Sequence, residues 1–115
     1  ADRFVNHSHR RLVFLRDEPR MYNPNLHFVV RDAVDAVNAF LHEGKKVVVH
    51  CHGGRSRTAL VVKAWYMQHE NKTHDEAHEW LSDTWPHYET WNDSFWDYLE
   101  NEWTAHLANS LKENK

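Results

Sequence analysis

The sequence predicts an α/β domain, a small sheet mainly parallel at its centre and flanked by helices. Three observations predict it. Lys46-Val47-Val48-Val49-His50 is continuously apolar at its centre, the pattern of a parallel strand covered on both faces. A helical stripe separates it from an earlier apolar run, Arg11-Leu12-Val13-Phe14-Leu15. The resulting strand–helix–strand unit is expected to cross over right-handed. A tight glycine loop then leads from the second strand into another helix. At 115 residues the chain has room for one core, so residues 1–115 are read as a single domain.

The elements follow in order. Phe4-Val5 reads as a short strand ahead of the run at 11–15, which ends in the turn-forming Asp17-Glu18-Pro19. Asn23-Pro24 pairs an N-cap residue with a proline at the first helical position. Leu26, Val29, Val30, Ala33, Val34, Val37 and Leu41 then recur at helical spacing. Gly44 stands where a left-handed residue closes a helix. After the loop at 51–57 a helix begins near Thr58, with Leu60, Val61, Ala64, Trp65 and Met67 facing inward. Thr73-His74-Asp75-Glu76 fits a capping box, and Trp85-Pro86 ends the helix it starts. Phe95, Leu99, Trp103 and Leu107 line one stripe of a last helix begun near Asn92 or Asp93. Trp80, Trp85, Trp91, Trp96 and Trp103 read as core and interhelix packing, with a ligand-stacking platform as the alternative.

Composition excludes several classes. With 41% apolar and 27% charged residues the chain is globular rather than disordered. No apolar run approaches the roughly 20 residues of a membrane helix, so no membrane association is expected. Ala1 to Arg10 is polar and charged, which predicts no secretory signal. A single cysteine, Cys51, excludes an internal disulfide and a cysteine-rich zinc module, and points to a reducing, cytoplasmic setting. The net charge of −3 divides unevenly: residues 1–66 carry +5 and residues 67–115 carry −8. A basic N-terminal half suits an anionic ligand, although ordinary surface charge would look the same. A general nucleic-acid binder is normally basic overall, and this chain is not.

The chemistry concentrates in Val49-His50-Cys51-His52-Gly53-Gly54-Arg55-Ser56-Arg57-Thr58. A strand delivers a lone cysteine to a glycine loop, and a helix begins at the loop's far end. Successive backbone N–H groups in such a loop converge on an anion, and the helix N-terminus adds its positive dipole. Arg57, six residues after Cys51, can fork two donors onto phosphate oxygens. The same field favours a thiolate, whose ordinary thiol pKa is about 8.5, and so favours a nucleophile.

His50-Cys51, Gly54, Arg57 and Thr58 match every fixed position of H-C-x-x-G-x-x-R-[S/T], the signature of cysteine-dependent protein tyrosine phosphatases. Ser56 before Arg57 resembles the dual-specificity branch. So do Ala64-Trp65-Tyr66-Met67, Glu76-Ala77, and Trp91-Asn92-Asp93-Ser94-Phe95 with Leu99. Asn23-Pro24-Asn25-Leu26 also resembles small bacterial domains of this branch, some attached to ADP-ribosylglycohydrolases. The resemblance covers about residues 11 to 103 and implies the three-layer α/β/α cysteine-phosphatase fold. It implies phosphomonoester hydrolysis through a cysteinyl-phosphate, with no metal and no cofactor. Cys51 would attack phosphorus and Arg57 would bind the phosphoryl oxygens. Thr58 would hydrogen-bond the sulfur, and His50 would sit behind the loop and orient it. The amides of His52, Gly53, Gly54, Arg55, Ser56 and Arg57 would line the pocket.

The family places its general acid just after a strand, some thirty residues before the cysteine. Asp17 fits that position, with adjacent Glu18 as the alternative; a turn-forming aspartate would look the same. The stretch from Asp17 to Leu26 is a few residues longer than the family spacing. His52 and Arg55 occupy variable loop positions where extra positive charge favours polyanionic substrates, or where side chains simply point to solvent. Eleven histidines include the pairs His7/His9, His50/His52 and His74/His78, but none forms H-E-x-x-H, and no physiological metal is expected. Expected partners are a phosphorylated protein or a small phosphorylated molecule. Alternatives are an inactive phosphate-binding module, a phosphatase of phosphoinositides, nucleotides or RNA 5′-phosphates, or a sulfur-transfer enzyme of the rhodanese kind. The Cys51-to-Arg57 step with Thr58 following argues against the last. The small number of strands also leaves room for a module of a larger protein.

Overall fold

The structure, a computed structural model, describes residues 15–49 and 55–113. Five α-helices are present among them: α1 (Leu26–His42), α2 (Ser56–Glu70), α3 (His74–Thr84), α4 (Asp93–Asp97) and α5 (Thr104–Glu113). A π-helical turn, Tyr98–Trp103, joins α4 to α5. A short 3₁₀ turn, Arg20–Tyr22, precedes α1.

The helix signals act largely as their chemistry requires. Gly44 takes a φ of +78°. That lets its N–H reach the Leu41 carbonyl at 2.9 Å and the Lys45 N–H reach the Phe40 carbonyl at 3.0 Å, the two bonds of a Schellman closure. Asn71 closes α2 in the left-handed region at φ 55°, a conformation asparagine tolerates. Thr73 and Glu76 form the reciprocal capping box. Asn92 caps α4 by accepting the Phe95 N–H at 3.1 Å.

Three expectations change. The cap predicted at Asn23-Pro24 is absent, and α1 starts at Leu26. Buried Asn23 instead accepts the Arg16 N–H at 2.9 Å and donates to the Arg16 carbonyl at 2.8 Å. Its oxygen, the atom a cap would use, is spent closing the neck of the loop ahead of the helix. Helix α2 starts at Ser56 rather than Thr58. It also buries Lys63, whereas Trp65 is only half-buried, its indole N–H donating to Asn38 at 3.0 Å.

No strand occurs among the described residues. A strand needs a hydrogen-bonded neighbour. The earlier predicted run lies outside the described residues except for Leu15, as do Phe4-Val5 and His50. Within 46–49, Val47 and Val49 are half-buried while Val48 is 64% exposed. Burial alternates along this segment instead of covering both faces as expected.

The core joins Leu26, Val30 and Val34 of α1 to Leu60, Ala64 and Met67 of α2, Ala77 of α3, and Phe95, Tyr98, Leu99 and Trp103. Trp103 is fully buried and donates its indole N–H to the Ala64 carbonyl at 3.1 Å. The predicted stripe at 95, 99, 103 and 107 recurs every fourth residue. On an α-helix of 3.6 residues per turn each such step drifts by about 40°. The wider π turn absorbs part of that drift, and Phe95, Leu99 and Trp103 stay buried together. The other tryptophans divide: Trp80 stacks on Tyr66 with ring centroids 4.0 Å apart, and Trp91 is 60% exposed.

Candidate active site

The N-terminus of α2 carries the described part of the signature loop, Arg55 to Thr58. Ser56 and Thr58 are buried, and Arg55 is exposed. The Arg57 guanidinium turns towards the preceding chain and donates to the Leu15 carbonyl at 3.3 Å. Leu15 stands two residues before Asp17. This contact therefore brings the predicted phosphate-binding arginine and the predicted general acid into one neighbourhood, across 42 residues of sequence. His50, Cys51, His52, Gly53 and Gly54 lie outside the described residues.

Asp17 is held from a third element. The Asn92 side-chain amide donates to Asp17 Oδ1 at 2.9 Å and to the Glu18 carbonyl at 3.3 Å. Its carbonyl oxygen meanwhile caps α4. The two ends of one side chain thus start a helix and fix an acid loop. The sequence pointed to Asn92 only as a helix start and as part of the W-N-D-S-F segment. A cap uses only the oxygen of an asparagine, so its NH₂ was left to find a partner. Glu18, the alternative acid, is exposed, and Asn92 meets its backbone rather than its carboxylate.

Arg55 pairs with Glu89 at 3.2 Å, so its charge is offset locally rather than presented alone. Beneath the start of α2 is a recess of about 10 Å³, lined in part by Ser56, Lys63, Asn92 and Trp96. It has room for about one water and none for a substrate. Ser56 Oγ is buried and meets no hydrogen-bond partner among the described residues.

Sequence reasoning missed the polar chain that begins at this recess. Lys63, 4% exposed, donates to His74 Nε2 at 2.9 Å. His74 is in turn 2.7 Å from Glu100 through Nδ1. An ammonium donor at Nε2 leaves the ring proton on Nδ1, where it donates to the carboxylate. The Lys63 ammonium also lies over the rings of Trp96 and Tyr88, at 4.8 and 5.1 Å. Burial pushes Lys63 down to about 8, with Glu100 opposing. Burial, with the Lys63 charge beside it, pushes His74 down to about 3. His78 meets the Tyr88 hydroxyl at 2.7 Å. The two histidines with helical metal spacing therefore have separate partners, and no group of three or more His, Cys, Asp or Glu able to hold a metal occurs among the described residues. No described helix is long and apolar enough to cross a membrane.

Comparison with known proteins bears on the family to which the chain belongs. The family model for the dual specificity phosphatase catalytic domain matches residues 6–104. The Amsacta moorei entomopoxvirus protein AMV078, named as a tyrosine-protein phosphatase, is 43% identical over 42 residues, covering 36% of this chain and 26% of that protein. A probable tyrosine-protein phosphatase of Candida albicans (strain WO-1) is 33% identical over 63 residues, covering 55% of this chain and 11% of the relative. Dual specificity protein phosphatase 12 of Rattus norvegicus is 49% identical over 37 residues, covering 32% of this chain and 11% of the relative. The matches thus span about a quarter or less of these curated relatives. No solved structure matches the chain.

Proposed function

The chain belongs to the dual-specificity phosphatase catalytic-domain family, and on that premise we propose that it hydrolyses phosphomonoesters through a cysteinyl-phosphate. The Cys51 thiolate attacks phosphorus, forming a P–S bond as the P–O bond to the leaving group breaks. Asp17 gives its proton to the departing oxygen. Water then attacks phosphorus, Asp17 takes a proton from it, and the sulfur leaves as thiolate. Arg57 and the amides of residues 52–57 carry the phosphoryl charge. Thr58 eases the sulfur's departure, and His50 orients the loop. No metal or cofactor takes part.

The observation that carries this reading is the convergence of three separate segments. Arg57 reaches the backbone beside Asp17, and Asn92 holds the Asp17 carboxylate. A turn-forming aspartate needs no such support. We place residues 11–15 and 46–50 in a parallel sheet beside α1 and α2, as the family implies, with residues 1–115 as one domain. The substrate class is a phosphorylated protein, in keeping with the names of the relatives. The Arg55–Glu89 pair removes one of the two cations that would favour a polyanion, so the phosphoinositide reading loses its support from that residue.

The test is phosphate release from para-nitrophenyl phosphate with EDTA present, comparing wild type with Cys51→Ser. Wild-type turnover that disappears in Cys51→Ser is expected. Turnover that survives in the variant refutes the covalent mechanism. Silence in both, with vanadate still bound, identifies a phosphate-binding module instead.

A further inference from the structure

The loop that carries Asp17 is gripped a second time, farther along the C-terminal helix. Arg20, three residues after Asp17, donates to Glu102 Oε1 at 2.7 Å. Its guanidinium also lies 5.8 Å from the centre of the Tyr98 ring. Glu102 and Tyr98 are four residues apart on the π turn, hence on one face of it. Each is fixed in its turn: the Tyr98 hydroxyl meets His27 Nδ1 at 2.8 Å, and the second Glu102 oxygen is 3.8 Å from the same nitrogen. The seat for Arg20 thus belongs to a cluster anchored on α1.

The segment between the two grips is short and stiff. Glu18 has its carbonyl held by Asn92. Pro19 fixes its own φ, at −58°, and opens the 3₁₀ turn in which the Tyr22 N–H reaches the Pro19 carbonyl at 3.0 Å. The neck of the loop is closed by Asn23 on the Arg16 backbone. A displacement of Arg20 therefore passes to Asp17 with little slack. Both side chains are about 40% exposed. An exposed ion pair adds little to global stability. Such a pair is nevertheless sufficient to bias a short loop between a held and a released position, where a small free-energy difference sets the populations.

We propose that Arg20 and Glu102 form a positioning pair that holds the general acid in register with the leaving group. The inference rests on the reading of Asp17 as that acid. It also gives a role to the longer stretch between Asp17 and Leu26: the added length lets the loop reach the π turn. A held acid matters in proportion to the leaving group's need for a proton. Loss of the pair should therefore be felt with phenyl phosphate and scarcely with para-nitrophenyl phosphate, whose phenolate departs unaided.

The experiment measures kcat/KM on both esters for wild type, Arg20→Ala, Glu102→Ala, the charge-reversed double variant Arg20→Glu/Glu102→Arg, and Asp17→Asn. Each single alanine variant is expected to lose roughly three- to tenfold on phenyl phosphate and less than about twofold on para-nitrophenyl phosphate. The charge-reversed variant is expected to recover most of the loss, because the attraction is restored with its direction swapped. Equal losses on both esters, or no recovery on reversal, overturn the pair. Asp17→Asn separates the two inferences. If it leaves the leaving-group dependence unchanged, the acid assignment falls and the pair with it. If it shifts that dependence while the Arg20 and Glu102 variants do not, the pair alone falls.

Discussion

Replacing Lys63 by methionine should flatten the rise in stability between neutral and alkaline pH. The buried ammonium is held at about 8 against an ordinary 10.5. Below pH 8 the lysine is charged in both the folded and unfolded chain, and burying that charge costs about 3 kcal/mol, at about 1.4 kcal/mol per tenfold. Above pH 8 the folded chain releases this proton first, and the unfolded chain keeps its own until about pH 10.5. In that window the unfolded state binds more protons, so stability rises with pH. Between pH 7 and pH 9.5 the gain from this one group is about 2 kcal/mol. His74, held at about 3, acts lower on the scale: its contribution is full above pH 6.5 and is lost as pH falls towards 3. Tyr88 and Tyr98, both pushed up by burial, act at the other end. The folded chain keeps their protons above pH 10, so stability falls again there. Urea unfolding of wild type and Lys63→Met at pH 7, 8, 9 and 9.5 tests this. The wild-type curve should rise by about 2 kcal/mol relative to that of the variant. The absolute difference at pH 7 should be smaller than 3 kcal/mol, because Lys63→Met also leaves His74 Nε2 without its donor, at about 1–3 kcal/mol. Parallel curves would show that Lys63 ionises as a solvated lysine does, and would refute the argument.

Two further outcomes follow from the same contacts. Asn92→Ala removes the α4 cap and both of that side chain's hydrogen bonds to the acid loop. It should cost about 1–2 kcal/mol in chemical denaturation and lower kcat/KM on phenyl phosphate by roughly tenfold. Loss of stability with unchanged leaving-group dependence would make Asn92 a cap and nothing more. Trp103→Phe keeps an aromatic ring in the core but removes the indole N–H bond to the Ala64 carbonyl. A loss of about 2 kcal/mol is expected from the buried bond and the space left by the smaller ring, read as a lower urea midpoint at unchanged slope.

What the sequence by itself determined is local. The capping box at Thr73, the left-handed closure at Gly44, the break at Pro86 and the start of α4 at Asn92 each depend on residues within one helical turn. The chemistry of a turn is written in its own residues. The signature from His50 to Thr58 was legible for the same reason, since nucleophile, loop and arginine lie within a few residues. The tertiary structure decided the rest. Asn23 reads as a cap by type, but the neck of the loop recruited its side chain. Lysine is ordinarily a solvated residue, yet Lys63 lies over two aromatic rings and against a histidine 11 residues away. Asn92 meets Asp17 across 75 residues, and Arg20 meets Glu102 across 82. No periodicity encodes a partner at that distance. It is set by how the helices pack, and buried polar groups then take whichever partners the packing brings within reach.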